Sequence, residues 1–400
     1  MNAPENHSLK NKGPGLGPLP IDHFFTPEYY ALEKEHIFKK SWLRIGVAAK
    51  IPNVGDYFVK ELESCDTSLI VVRGRDQKIR AFHNMCSHRS NRVAYEEKGN
   101  TTTFKCSFHS WAYGLDGSLR AIPEEHLFPG LDKAENGLTE VACDVWEGFI
   151  FVNVDPKPAQ TLREYLGEEI YNGYGGFFEK FQQVGRYSSV IPVNWKIFLD
   201  AFVETYHFST VHLPTAGDIV NSREFPNGRI DALRLYEKHR IVSATSNVEH
   251  TPTMAENLAR KFSGGATLAP DLAKKMMNPP QINPKSLPDW ATDILIIFPM
   301  CNLQPLQGFF VTQNYWPLSH GRTHWELMVH MLPPKTAADE IAAEYNRAYV
   351  RDVVREDLKN LSMVQSNLAS GAKKYQVLGE NEPMVRHAYK VVAEQVGSGW

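Results

Sequence analysis

Four residues constrain this chain more than its composition does. Cys86-Ser87-His88 is followed, after 17 intervening residues, by Cys106-Ser107-Phe108-His109. Each loop offers one thiolate and one imidazole, so two such loops brought together place two sulfurs and two nitrogens around a metal centre. A structural zinc site with two Cys and two His is one way to use them. Zinc fingers, however, pair Cys with Cys and His with His, whereas each loop here mixes the two. Mixing suits a two-iron, two-sulfide cluster. One iron can take both cysteines and the other both histidines, which raises the reduction potential over an all-Cys cluster. Histidine ligands also titrate, which allows electron and proton transfer to be coupled. Cys65, Cys143 and Cys301 have no such companions and read as core or surface thiols. An odd cysteine count in a 400-residue chain argues against a secreted disulfide scaffold.

The rest of the chain is expected to divide around those loops. Residues 1–20 read as a flexible arm, and 21–43 as a helical segment opened by Thr26-Pro27. From 44 to 156, short alternating runs separated by Gly- and Asp-containing turns predict a small all-β domain. From 157 to 400, helical stretches at 160–180 and 197–210 precede strand-like runs, and a long helix from Thr336 to about Ala369 follows them. That makes the second region α+β. The net charge is −3, which gives no reason to expect a nucleic-acid partner. The sequence holds no apolar run long enough to span a membrane, and the first twenty residues lack the apolar core of a secretory signal. A cytoplasmic protein is the expectation.

A second constellation lies in the α+β region, where Asn194-Trp195-Lys196 leads to Glu204, His207 and His212. Glu204 and His207 share a helix face. His207 and His212 are about 140° apart on a regular helix, so both reach one metal only if the helix ends or bends between them. Leu213-Pro214 supports an ending. Two histidines with one distant carboxylate make the facial triad of non-haem Fe(II) oxygenases.

Together the two constellations resemble the large (alpha) subunit of Rieske non-haem iron ring-hydroxylating oxygenases. The first has the pattern of a Rieske motif; the second matches the Asn-Trp-Lys and acidic-x-x-His-x-x-x-x-His run of the catalytic domain. The resemblance implies an all-β Rieske domain followed by a helix-grip (START-like) antiparallel sheet domain, with segment 21–43 packed on the latter. It implies a [2Fe-2S] cluster on Cys86, His88, Cys106 and His109. It further implies a mononuclear Fe(II) on His207, His212 and an Asp of a late helix, best matched by Asp357, with Asp352 and Glu356 as alternatives. Glu204 stands where the family commonly has Asp, as in some carnitine and betaine oxygenases. In the family this residue bridges the cluster histidine of one subunit (here His109) to the iron histidine of its neighbour (here His207).

The same resemblance implies partners: a reductase oxidising NAD(P)H, with or without a ferredoxin, a homotrimer, and in some members a small beta subunit. No Gly-rich dinucleotide fingerprint occurs in the chain, in keeping with an external reductase. The expected activity is mono- or dioxygenation, or oxidative demethylation, of an aromatic or polycyclic substrate, with a quaternary ammonium compound as the alternative. A Rieske electron carrier without active mononuclear iron and a zinc-binding regulator are alternatives of other classes. Phe202 and Phe208 are the candidate pocket residues, with Phe198, Phe298 and Phe310 as pocket or core. Arg223, Arg229 and Arg234 are candidate partners for a substrate carboxylate, or surface residues.

Overall fold

The computed structural model describes residues 15, 17–21, 24–224, 226–263 and 279–398. The chain forms two compact units, one of residues 38–167 and one of residues 1–37 with 168–400. The smaller unit is thus wider at both ends than the 44–156 span of alternating sequence. Most of the expected flexible arm lies outside the described residues. Its end is held: Leu19–Pro20 pairs antiparallel with Tyr375–Gln376.

In the smaller unit the strands are β1 (Leu43–Val47), β2 (Asp56–Leu62), β3 (Thr67–Arg73), β4 (Ile79–His83), β5 (Lys98–Asn100), β6 (Phe104–Lys105), β7 (Ala112–Tyr113), β8 (Leu119–Ala121), β9 (Glu140–Trp146) and β10 (Phe149–Asn153). Seven make one antiparallel sheet in the order β1-β10-β9-β4-β3-β2-β5. The other three, β6-β7-β8, form a small sheet that carries the second Cys-His loop. Cys86, Cys106, Trp111 and Tyr113 sit in the apolar core shared by the two sheets, with Ile70, Val72 and Phe82.

In the larger unit the strands are β11 (Gln182–Ile191), β12 (Ile230–Leu235), β13 (Arg240–Thr245), β14 (Trp290–Ile297), β15 (Cys301–Pro305), β16 (Phe309–Ser319) and β17 (Arg322–Met331). They form one antiparallel sheet in the order β11-β17-β16-β15-β14-β13-β12, a curled sheet whose neighbours beyond β11 follow hairpin order. The expected helix over 160–180 is broken into short turns, and β11 follows it. Little in that strand's sequence marks it, because its side chains are mostly polar and half-exposed.

Besides the short helix Glu168–Asn172, the α-helices of this unit among the described residues are α1 (Pro27–His36), α2 (Trp195–Asp200), α3 (Phe208–Val211), α4 (Gly217–Val220), α5 (Met254–Ser263), α6 (Ala337–Ala369) and α7 (Pro383–Val396). Thr26 caps α1 by accepting from the Tyr29 N–H, and α1 stops at His36, so the helix is shorter than its 21–43 expectation. A capping box between Thr336 and Asp339 starts α6. Its buried stripe runs Val350, Val354, Asp357, Leu361, at four- and three-residue steps. A carboxylate therefore occupies a position where the helix pattern asks for an apolar side chain. Among the described residues no helix is long and apolar enough to cross a membrane.

The short helix α2 is fixed from several sides. The Asn194 side chain accepts from the Lys196 N–H at its start. The Lys196 ammonium is paired with the Glu33 carboxylate of α1, and the Trp195 indole donates to the same carboxylate at 2.9 Å. Both charged side chains are almost wholly buried. Burial pushes the Glu33 carboxyl up and the Lys196 ammonium down, while each partner opposes the other's shift. At its other end the Tyr389 hydroxyl of α7 donates to Asp200 at 2.8 Å. The Asn-Trp-Lys run thus clamps α2, and α2 aims the Glu204–His212 segment. Lys196→Met, which strands a buried carboxylate, is expected to cost about 3–5 kcal/mol in denaturant unfolding. A Glu33→Leu/Lys196→Met double variant, which removes both charges, is expected to recover most of that loss.

Candidate metal centres and substrate cavity

The two Cys-His loops have the same backbone. The Cys86 N–H donates to Asn91 O at 2.8 Å and the Ser90 N–H to Cys86 O at 2.9 Å. In the second loop the Cys106 N–H donates to Trp111 O and the Ser110 N–H to Cys106 O, each at 2.9 Å. Ser90 and Ser110, each four residues after its cysteine, both take the left-handed conformation, with φ of 56° and 61°. Both cysteines are buried. The His88 and His109 imidazoles meet edge to face with ring centroids 4.5 Å apart, and His88 stacks on Trp111.

The sulfurs meet donors. The Tyr113 hydroxyl accepts from the Ser87 N–H at 3.0 Å and lies 3.1 Å from the Cys86 sulfur, to which it would donate were that sulfur a thiolate. Burial works to raise the Cys106 thiol, but the Phe108 N–H and the Asn91 amide outweigh it and hold that thiol below its ordinary value. His88 Nδ1 is buried with no hydrogen-bond partner. Two sulfurs supplied with donors and a buried imidazole nitrogen left with an open lone pair fit a [2Fe-2S] cluster.

In the larger unit α3 is a single four-residue turn, with His207 just before it and His212 just after it. The helix is short enough for both rings to turn to one point. His207 Nε2 and His212 Nε2 lie 3.1 Å apart, and Asp357 Oδ1 lies 3.4 and 3.1 Å from them. Behind the rings, Glu204 accepts from His207 Nδ1, and Glu356 from His212 Nδ1 at 2.9 Å. A carboxylate can only accept, so each Nδ1 donates to its glutamate, and each Nε2 would be free to offer its lone pair to a bound cation. Two imidazole nitrogens and a carboxylate oxygen then converge on one point, an arrangement that suits a bound cation. Burial pushes the Asp357 carboxyl up against the pull of His212 and His207. The donor set and its convergence fit a mononuclear iron.

Among the three acidic candidates only Asp357 reaches this point. Glu356 backs His212 instead, and Asp352 is paired with Arg351. The distinguishing signal was present in the sequence as the interrupted apolar stripe of α6. The backing role of Glu356 was not legible, because it depends on how α6 lies against α3.

The triad lines one wall of a cavity of about 250 Å³. Phe202 and Phe208 both line it. Phe309, Val311 and Gln313 do too, alternate residues on the inner face of β16. Phe310 points the other way, into a cluster with Phe177, Phe178, Phe181 and His330. Phe198 packs on Tyr315 and Trp325, and Phe298 is buried; neither lines the cavity. The three candidate arginines do not line it either. Arg229 pairs with Asp289, Arg234 with Glu169, and Arg223 is exposed. Arg260, which sequence reasoning passed over, does line it.

Comparison with known proteins bears on both units. The model of the ring hydroxylating alpha subunit (catalytic domain) matches residues 178–398, and that of the Rieske [2Fe-2S] domain matches residues 41–132. The chain is 28% identical over 196 residues to the carnitine monooxygenase oxygenase subunit of Escherichia coli (strain K12), covering 48% of this chain and 52% of that protein. It is 35% identical over 189 residues to the biphenyl 2,3-dioxygenase subunit alpha of Rhodococcus jostii (strain RHA1), covering 45% and 40%. The matched region thus spans about half the length of these curated relatives. Its fold is that of a quaternary ammonium Rieske monooxygenase solved with L-carnitine (TM-score 0.72, 19% identity, 99% of both chains). It is equally that of naphthalene 1,2-dioxygenase from Rhodococcus sp. bound to indole (TM-score 0.72, 21% identity, 95% of this chain and 94% of that one). With a catalytic-domain model covering more than half of its length behind a Rieske domain, the chain belongs to the ring-hydroxylating oxygenase alpha-subunit family.

Proposed function

We propose that this chain is the terminal oxygenase component of a cytoplasmic multicomponent system, hydroxylating an aromatic or polycyclic substrate with O2 and electrons that a separate reductase draws from NAD(P)H. The observation that carries this is the triad of His207, His212 and Asp357 set in the wall of a mainly apolar cavity. An electron carrier without active mononuclear iron would have no use for three converging ligands beside such a cavity. Bound on these residues, the cluster supplies single electrons and the iron activates dioxygen. The protein's own part is to hold ligands, fix tautomers and keep the cavity dry.

Cys86 and Cys106 would hold one iron of the cluster and His88 and His109 the other. Glu204 and Glu356 orient the imidazoles of His207 and His212 through Nδ1. Phe202, Phe208 and Phe309 offer flat apolar surface to a ring. A quaternary ammonium substrate has less support. The cavity's other carboxylates, Glu204 and Glu256, are engaged by His207 and by His250 and Arg260.

A homotrimer in head-to-tail order is the proposed assembly, since a heterologous contact closes into a ring under threefold symmetry. Exposed apolar side chains support it on each unit: Met85 and Phe108 on the Cys-His loops, Tyr206 and Leu213 beside the triad. In that arrangement Glu204 would face a cluster histidine of the neighbouring subunit.

An aromatic substrate screen by oxygen uptake with a surrogate reductase tests the activity; uptake with no organic product would count against it. Asp357→Ala is expected to lower iron from about three to about two atoms per chain while leaving the visible absorption of the cluster in place. Glu204→Gln is expected to lower turnover by about 10–100-fold with both metal centres loaded. Full turnover in that variant would remove Glu204 from the bridging role.

A further inference from the structure

The sheet wall of the cavity carries two glutamines. Gln313 lies on β16, and Gln304 lies on the neighbouring β15 with Val311 as its cross-strand partner. Cross-strand partners share a face, and so do residues two apart on one strand. Gln304, Val311 and Gln313 therefore stand on one face, and all three line the cavity. Trp325 of β17 is opposite Tyr315, two residues from Gln313, so its indole belongs to that face as well.

A chain of hydrogen bonds orients both amides. An indole N–H can only donate. The Trp325 Nε1–H reaches Gln313 Oε1 at 2.9 Å, which fixes the end of that amide facing the tryptophan. Both side chains are buried. The NH2 end of Gln313 is thereby turned to Gln304, and it too can only donate, so Gln304 meets it with Oε1 at 3.4 Å. The NH2 group of Gln304 is what remains at the end of the chain, and among the described residues it has no protein partner. Other polar groups on this side are engaged. The Thr292 hydroxyl donates to Pro305 O at 2.8 Å, the Ser246 hydroxyl to Asp289 O at 3.0 Å and the Gln307 amide to Trp290 O at 2.9 Å. Val311 and Leu306, the neighbours of Gln304 on the wall, are apolar. An unpaired donor in such a place is unfavourable until something accepts from it.

We infer that Gln304 donates to a neutral acceptor oxygen, a ketone or an ether, on the aromatic substrate, and that Gln313 and Trp325 are positioning residues that hold its NH2 group toward the cavity. This rests on the oxygenase reading above and adds the functional group that the substrate carries. The wall offers a donor without a charge, which matches an uncharged oxygen and spares the desolvation cost that a carboxylate brings. A hydrocarbon leaves the amide unpaired, and an N–H group meets another donor.

The test uses the holoenzyme and three two-ring probes of similar shape: benzophenone, 1,1-diphenylethylene, in which CH2 replaces the ketone oxygen, and diphenylamine, whose N–H donates. Equilibrium dialysis gives the ratio of dissociation constants for each enzyme, so the differing hydrophobicity of the probes is common to every variant. Gln304→Leu is expected to shift the ratio against benzophenone by about three- to tenfold, as loss of a neutral hydrogen bond does, and to leave the other two probes no weaker than before. Trp325→Phe, which frees the Gln313 amide to turn, is expected to shift the ratio in the same direction by less. Equal weakening of all three probes by Gln304→Leu, an unchanged ratio, or no binding of benzophenone by the unaltered enzyme would each overturn the contact. An unchanged ratio in Trp325→Phe would remove Gln313 and Trp325 from the positioning role. Turnover of the probes with a surrogate reductase reports on the oxygenase reading separately. Product without the shift in ratio sinks only the contact, and the shift without product from any probe sinks only the oxygenase.

Discussion

The larger unit depends on a meeting of lone pairs. His207, His212 and Asp357 come from two segments some 150 residues apart, and their ligating atoms lie within 4.8 Å of one another. In a buried place such a meeting is unfavourable by itself, because each group would prefer water or a proton. The structure answers this on two levels. Glu204 and Glu356 accept hydrogen bonds from the two Nδ1 atoms on the outer side, which turns the two Nε2 atoms inward toward Asp357. The surrounding scaffold then holds the three groups in place.

That scaffold explains residues that would otherwise look decorative. Asn194 caps α2, Trp195 and Lys196 tie it to Glu33 of α1, and Tyr389 of α7 ties its end at Asp200. Two helices remote in sequence, α1 and α7, therefore fix one short helix, and the segment leaving it carries Glu204 and His207. The smaller unit uses a different device. Its two Cys-His loops repeat one closed turn, with a left-handed serine in each. A like backbone puts each cysteine inward, and the one-residue difference between Cys-x-His and Cys-x-x-His changes only where the imidazole emerges.

The cavity joins these arrangements to substrate choice. Its one end is formed by the converging side chains of His207, His212 and Asp357. Its distal end is set by α5 and the first turns of α6, where Glu256, Arg260 and His250 form a charged group at the edge of an apolar space. The relatives named for carnitine and for biphenyl differ in substrate, as expected if specificity lies in such wall residues and not in the triad.

What the sequence determined by itself was the chemistry and the order of the parts. Cysteine and histidine at close spacing can be read directly, because a loop of three or four residues fixes which ligands it can offer. The small β region, the long α6 and the pair His207–His212 were legible for the same reason: each is a local pattern. Asp357 was half legible, through its place on the apolar stripe of α6. Tertiary structure alone decided the rest. It chose Asp357 over Asp352 and Glu356, turned Phe309 into the cavity and Phe310 away from it, and put Arg260 on the wall where Arg229 and Arg234 are paired elsewhere. Adjacent residues on a strand face opposite sides, and which side becomes the cavity depends on helices that pack there from distant parts of the chain.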